Sequence, residues 1–132
     1  MRSSASTTQA LIEWIASSRD DLRAFPEDVR DVIGYALYLA QNGGKHPDAK
    51  PLTGDRAFRG AGVLEVVDDF DGDTYRAVYT VRYAGVLYVL DAFQKKSKKG
   101  AATPKGDINR IKRRLKLAKE HFDATYGKRE AG

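Results

Sequence analysis

The stretch from Asp73 to Lys99, DTYRAVYTVRYAGVLYVLDAFQKKSKK, constrains the fold more than any other. Tyr75, Ala77, Tyr79, Val81 and Tyr83 alternate with Thr74, Arg76, Val78, Thr80 and Arg82. Strand side chains point to opposite faces with period two, so one face is aromatic and apolar while the other carries arginines. Ala84-Gly85 supplies a turn, and Val86 to Phe93 reads as a more apolar strand near the middle of a sheet. Lys95, Lys96, Lys98 and Lys99 follow at its end. A hydrophobic platform that delivers cations to one edge suits a polyanion.

The neighbouring segments complete the pattern. Leu11 to Ile15 reads as a short strand, with Trp14 turned to the core, and Asp20 to Phe25 as a helical turn. Pro26 opens a helix with Glu27 and Asp28 at its positive end. Val29, Val32, Ile33, Ala36, Leu37 and Ala40 share one face of it, and Asn42-Gly43-Gly44 ends it. Residues 45–61 read as a long loop, rich in Pro, Gly and charge. Gly62 to Phe70 is a strand, and Asp71-Gly72 is a two-residue hairpin turn. Thr103-Pro104 starts a last helix, with Ile108, Ile111, Leu115, Ala118 and Phe122 on one stripe. The prediction is an α+β fold: an antiparallel sheet of about four strands, with helices on one face and the other face partly open. Residues 10–126 form its single domain, and 1–9 and 127–132 are expected to be flexible ends.

Composition narrows the chemistry. The 132 residues contain no cysteine, which removes disulfides, thiolate metal sites and cysteine nucleophiles. The only histidines, His46 and His121, are far apart, so neither a metal nor a cofactor is expected. The Gly43-Gly44 pair follows a helix instead of preceding one, so it is a cap and not a phosphate cradle. No apolar run is long enough to span a bilayer, and the polar start MRSSASTTQA lacks a signal peptide's apolar segment. A cytoplasmic protein is expected.

The net charge is +5, yet the 26 residues from Gln94 to Lys119 hold eleven Lys or Arg against one acid, Asp107. Such a patch is the footprint of nucleic acid, with an acidic protein as the competing partner. Arg76, Arg82, Lys95 and Lys96, with Arg59 from the loop, could converge on a phosphodiester. Cleavage of RNA by its own 2′-hydroxyl needs orientation, a proton acceptor and positive charge on the developing phosphorane. For Arg82, pairing with Glu65, Asp68, Asp69 or Asp91 is the expectation. Arg59, Lys98, Lys99, Arg113 and Lys116 are candidate contacts to the RNA backbone.

Several segments, in this order, resemble the RelE/ParE superfamily of toxins from type II toxin–antitoxin systems, in its HigB-like, phage-associated branch. They are Phe25-Pro26, Lys50-Pro51-Leu52 with Gly54, Val63-Leu64-Glu65-Val66 and Tyr75-Arg76-Ala77-Val78-Tyr79. Ala92-Phe93-Gln94-Lys95-Lys96-Ser97 and Thr103-Pro104 follow. The resemblance spans about Trp14 to Phe122. It implies a RelE-like, microbial-RNase-like sandwich and a ribosome-dependent mRNA endonuclease that needs no metal. It also implies an antitoxin partner, usually a helix-turn-helix DNA-binding protein. The family's phosphate-contacting arginine maps onto Arg76, and its basic residues after the last strand map onto Lys95 and Lys96. Two positions depart from the pattern: Asp91 stands where many relatives have histidine, and Val67 where many have arginine. The alternatives are a non-enzymatic gyrase inhibitor of ParE type, and a catalytically impaired homologue that acts in antitoxin-bound autoregulation.

Overall fold

The computed structural model describes residues 9–95 and 102–127. In chain order they form β1 (Leu11–Trp14), α1 (Ser18–Arg23), α2 (Glu27–Gln41), β2 (Ala49–Pro51), β3 (Val63–Phe70), β4 (Asp73–Thr80), β5 (Val86–Lys95) and α3 (Lys105–Phe122). A short 3₁₀ turn lies at Arg56–Phe58, and a π-turn at Asp123–Gly127 follows α3. The five strands make one sheet in the order β1-β5-β4-β3-β2. β1 runs parallel to β5, and every other pairing is antiparallel. The fold is α+β, as expected. The added strand is β2, three residues inside the segment read as loop, too short to show a period of two.

The Asp71-Gly72 hairpin forms as expected, and both residues take positive φ (53° and 85°). That is the geometry of a type I′ turn, which matches the twist of the flanking strands. The next connection is longer than a tight turn: β4 stops at Thr80, and residues 81–85 lead into β5.

The sheet is covered on both faces, which corrects the expectation of an open face. On one side, Val29, Ile33, Ala36 and Leu37 of α2 pack against Val66, Tyr75, Ala77, Tyr79, Leu87 and Val89. On the other, Ile108, Ile111, Ala118 and Phe122 of α3 pack against Val63, Val78, Val86, Tyr88 and Leu90. The last helix therefore buries its apolar stripe on the far side of the sheet from α2. β4 is the middle strand, so Thr74 through Thr80 are all buried. The alternation read from sequence is real, but both of its faces are interior.

Candidate active site

Besides an open groove along α3, two concave regions compete for attention. The larger, about 910 Å³, lies among the start of β1, the end of α2 and residues 81–87, and among the described residues its only titratable lining side chain is Tyr83. The smaller, about 330 Å³, gathers Lys50, Asp48, Glu65, Arg76 and Thr103. Convergent charge, not size, marks a chemical site.

The sheet register builds this cleft. Lys50 on β2 lies directly across from Glu65 on β3. Arg76 on β4 pairs with Val67 on β3 and Phe93 on β5. With a period of two, Glu65, Val67 and Arg76 share the α3 side of the sheet. Gly54 closes the wall beyond β2. Its φ is +111°, and a Cβ there would lie 3.2 Å from Ile108 Cδ1 of α3. That positive φ favours glycine, and a side chain there would also press on Ile108.

At the base of the cleft, Arg76 is 1% exposed. Its Nη1 lies 3.6 Å from Glu65 Oε2. The Thr103 hydroxyl sits between them: it donates to Glu65 Oε2 at 2.8 Å and accepts from Arg76 Nη1 at 3.3 Å. Burial pushes the Glu65 carboxyl above its ordinary pKa of 4.5, against the opposing pull of Thr103 and Arg76. A cation that can hold a phosphate and a carboxylate poised to accept a proton thus stand on adjacent strands. Glu65 is the residue that the sequence reading passed over. Its signal was an acid inside the apolar run Val63-Leu64-Glu65-Val66, two places before Val67.

The other expected site residues that are described lie outside the cleft lining. Lys95 does not line the cleft; its Nζ lies 3.0 Å from Asp107 Oδ2 of α3. Lys96, Lys98 and Lys99 lie outside the described residues. Arg59 caps the short 3₁₀ turn, exposed and away from the cleft lining. Arg82 is exposed, its guanidinium over the Tyr83 ring at 5.9 Å; its expected partner Glu65 is the partner of Arg76 instead. His46 accepts a bond at Nδ1 from the Asp48 N–H, and His121 shares a 2.8 Å bond with the Tyr88 hydroxyl. Among the described residues, no three His, Asp or Glu side chains cluster as a metal site would require.

Asp91 has a structural role. It is 1% exposed and holds two arginines of α3: Arg110 Nε at 2.7 Å and Arg114 Nη1 at 3.0 Å. Arg110 also pairs with Asp107, Lys112 with Asp55 and Lys119 with Asp123. Much of the cationic helix is thus tied down. Arg113 and Lys116 remain exposed, beside an open groove of about 500 Å³ that they share with Arg110, Arg114, Leu117 and Glu120. No described helix is long and apolar enough to cross a membrane.

No curated protein matches the chain. A family model does, over residues 20–116, a span that includes Glu65, Arg76, Asp91 and Thr103. The chain belongs to the family of phage-derived Gp49-like proteins (DUF891), which are RelE-like toxins of toxin–antitoxin systems.

Proposed function

We propose that this protein is the toxin of a toxin–antitoxin module and cleaves messenger RNA on the ribosome, without a metal, in the cleft over Arg76. The observation that carries this reading is the Arg76–Glu65 pair, bridged by a hydroxyl and facing Lys50. Glu65 takes the proton from a ribose 2′-hydroxyl, and the 2′-oxygen attacks the adjacent phosphorus. Arg76 and Lys50 stabilise the charge on the equatorial oxygens. The bond to the 5′-oxygen breaks, that oxygen takes a proton from water, the hydroxide so formed takes back the proton held by Glu65, and a 2′,3′-cyclic phosphate and a free 5′-hydroxyl result. Lys95 and Lys96 meet the RNA backbone and add to charge stabilisation, Lys95 less so because Asp107 holds it. Arg59, Lys98, Lys99, Arg113 and Lys116 grip ribosomal or messenger RNA through phosphates, so affinity falls steeply with salt. The cognate antitoxin is a helix-turn-helix DNA-binding protein, and the complex works in the cytoplasm.

A second reading, an impaired toxin that acts only with its antitoxin, draws on the same contacts, because Arg76 is buried and bound. Induction of the protein, with mRNA 5′ ends mapped beside a gyrase supercoiling assay, separates the readings. Cuts within translated codons are expected. They should fall about 10²–10³-fold in Arg76→Ala and about 10²–10⁴-fold in Glu65→Gln. Unchanged RNA ends with blocked supercoiling would reject the proposal in favour of a gyrase inhibitor. Neither effect, with normal growth, points to the impaired homologue.

A further inference from the structure

The Thr103 hydroxyl occupies an unusual position. It donates to the carboxylate at 2.8 Å and accepts from the guanidinium at 3.3 Å, while those two groups stand 3.6 Å apart. A hydroxyl that bridges an acceptor and a cation in this way makes the bonds that a ribose 2′-hydroxyl needs before its proton is taken. Thr103 and Pro104 precede α3, and neither belongs to the helix. The N-cap position is Pro104, and among the described residues no side-chain hydrogen bond caps it. Among the described residues, the partners of its hydroxyl are the charged pair.

We propose that the gap between Glu65 and Arg76 is a hydroxyl-reading slot that selects ribose over deoxyribose, and that Thr103 fills it in the free protein as an internal competitor. This rests on the ribonuclease reading of the same cleft. Deoxyribose offers no hydroxyl to satisfy Glu65, so a deoxynucleotide leaves the threonine in place and binds through its phosphate alone. A ribonucleotide displaces the threonine, exchanging one hydroxyl for another. Lys50, across the strand pair from Glu65, is available for the phosphate on the open side of the cleft. Rotation of one side chain about its Cα–Cβ bond suffices to vacate the slot. The free protein is thereby held below its full affinity for RNA.

The test uses the full chain and two inert probes, adenosine 3′-monophosphate and 2′-deoxyadenosine 3′-monophosphate, titrated by calorimetry or NMR. The wild type should bind the ribonucleotide more tightly. Thr103→Ala, which empties the slot, should strengthen ribonucleotide binding about 10–100-fold, as expected for removal of one competing hydrogen bond to a charged group. It should leave the deoxynucleotide within about twofold. Thr103→Ser, which keeps the hydroxyl, should retain the wild-type preference and serves if the alanine variant does not fold. Equal change for both probes in Thr103→Ala, no ribose preference in wild type and Thr103→Ser, or no binding of either probe by any variant would each overturn the slot. Ribonucleotide preference and RNA cleavage that persist with no effect of Thr103→Ala reject the slot alone. Absence of RNA cleavage by the wild type and by Thr103→Ala rejects the ribonuclease reading beneath it.

Discussion

On the α2 side of the sheet, Val29, Ile33, Ala36 and Leu37 meet Val66, Ala77, Leu87 and Val89, and the interior is held by apolar contact. On the α3 side the same strands bury Thr74, Arg76, Thr80 and Asp91 among their apolar neighbours. There α3 is attached by charge as well as by packing: Asp91 binds Arg110 and Arg114, and Arg114 also donates to the Leu90 carbonyl. The difference teaches where chemistry can be kept. Buried charge is tolerated where opposite charges pair with it, as Arg110 and Arg114 do with Asp91, and a layer that supplies such partners is also one that can hold a reactive carboxylate beside a guanidinium. The apolar layer contributes rigidity; the polar layer positions Glu65, Arg76 and Thr103.

The comparison breaks most visibly at Asp91. Asp91→Ala strands Arg110 and Arg114 against the sheet, and breaking a buried pair from one side costs about 3–5 kcal/mol. Denaturant unfolding measures it. On the apolar face, Ile33→Val, which removes one buried methyl, should cost about 0.5–1.5 kcal/mol. Replacing the whole triad by Asp91→Leu, Arg110→Met and Arg114→Met should restore most of the loss, because no charge is then left without a partner. A loss below about 1 kcal/mol for Asp91→Ala would mean that packing alone holds α3.

Much of the fold was legible because local chemistry agreed with it. Asp71-Gly72 named its turn, Thr103-Pro104 placed the start of α3 to within a residue or two, and the tyrosine alternation named β4. Coverage of both faces also has a signal in the sequence. Val86 to Leu90 is apolar without alternation, and a strand apolar on both sides needs two covers. The site was less legible. Arg76 is marked by the family resemblance of its strand, but its partners come from β3 and from the segment before α3, 11 and 27 residues away. Asp91 looked like a lost catalytic group because its arginines, 19 and 23 residues on, are invisible until α3 is laid on the sheet. Lys50 and β2 were hidden in a segment too short for periodicity.

A smaller effect, of opposite sign, comes from the α2 side. The Tyr79 hydroxyl is buried in that layer and has no hydrogen-bond partner among the described residues. Burial alone pushes it up to about 12. An unsatisfied buried hydroxyl is a net cost, so Tyr79→Phe should stabilise the protein by about 1 kcal/mol. The same substitution at Tyr88 should destabilise, because its hydroxyl bonds His121 at 2.8 Å. A thermal melt of each variant decides. Equal losses from both would mean that the two hydroxyls do not differ in their hydrogen bonding.

The subtlest test lies at Glu65, where burial is opposed by Thr103 and Arg76 and the net shift is what remains. Because the folded pKa stands above the ordinary 4.5, the native state keeps its proton to higher pH than the unfolded chain does. The stability contributed by this carboxyl is therefore complete below the unfolded value and is lost as pH rises through the folded one. Glu65→Gln cannot titrate. Across unfolding curves taken from pH 4 upward to neutrality, the wild type should lose ground to the variant, whatever constant offset the amide causes at Arg76. If the wild type gained ground instead, the guanidinium would be holding the carboxyl below its ordinary range, and Glu65 would be a weak proton acceptor. A raised value has the reverse consequence. The burial that makes Glu65 costly to ionise also brings it closer to the operating pH, where a proton acceptor is most effective.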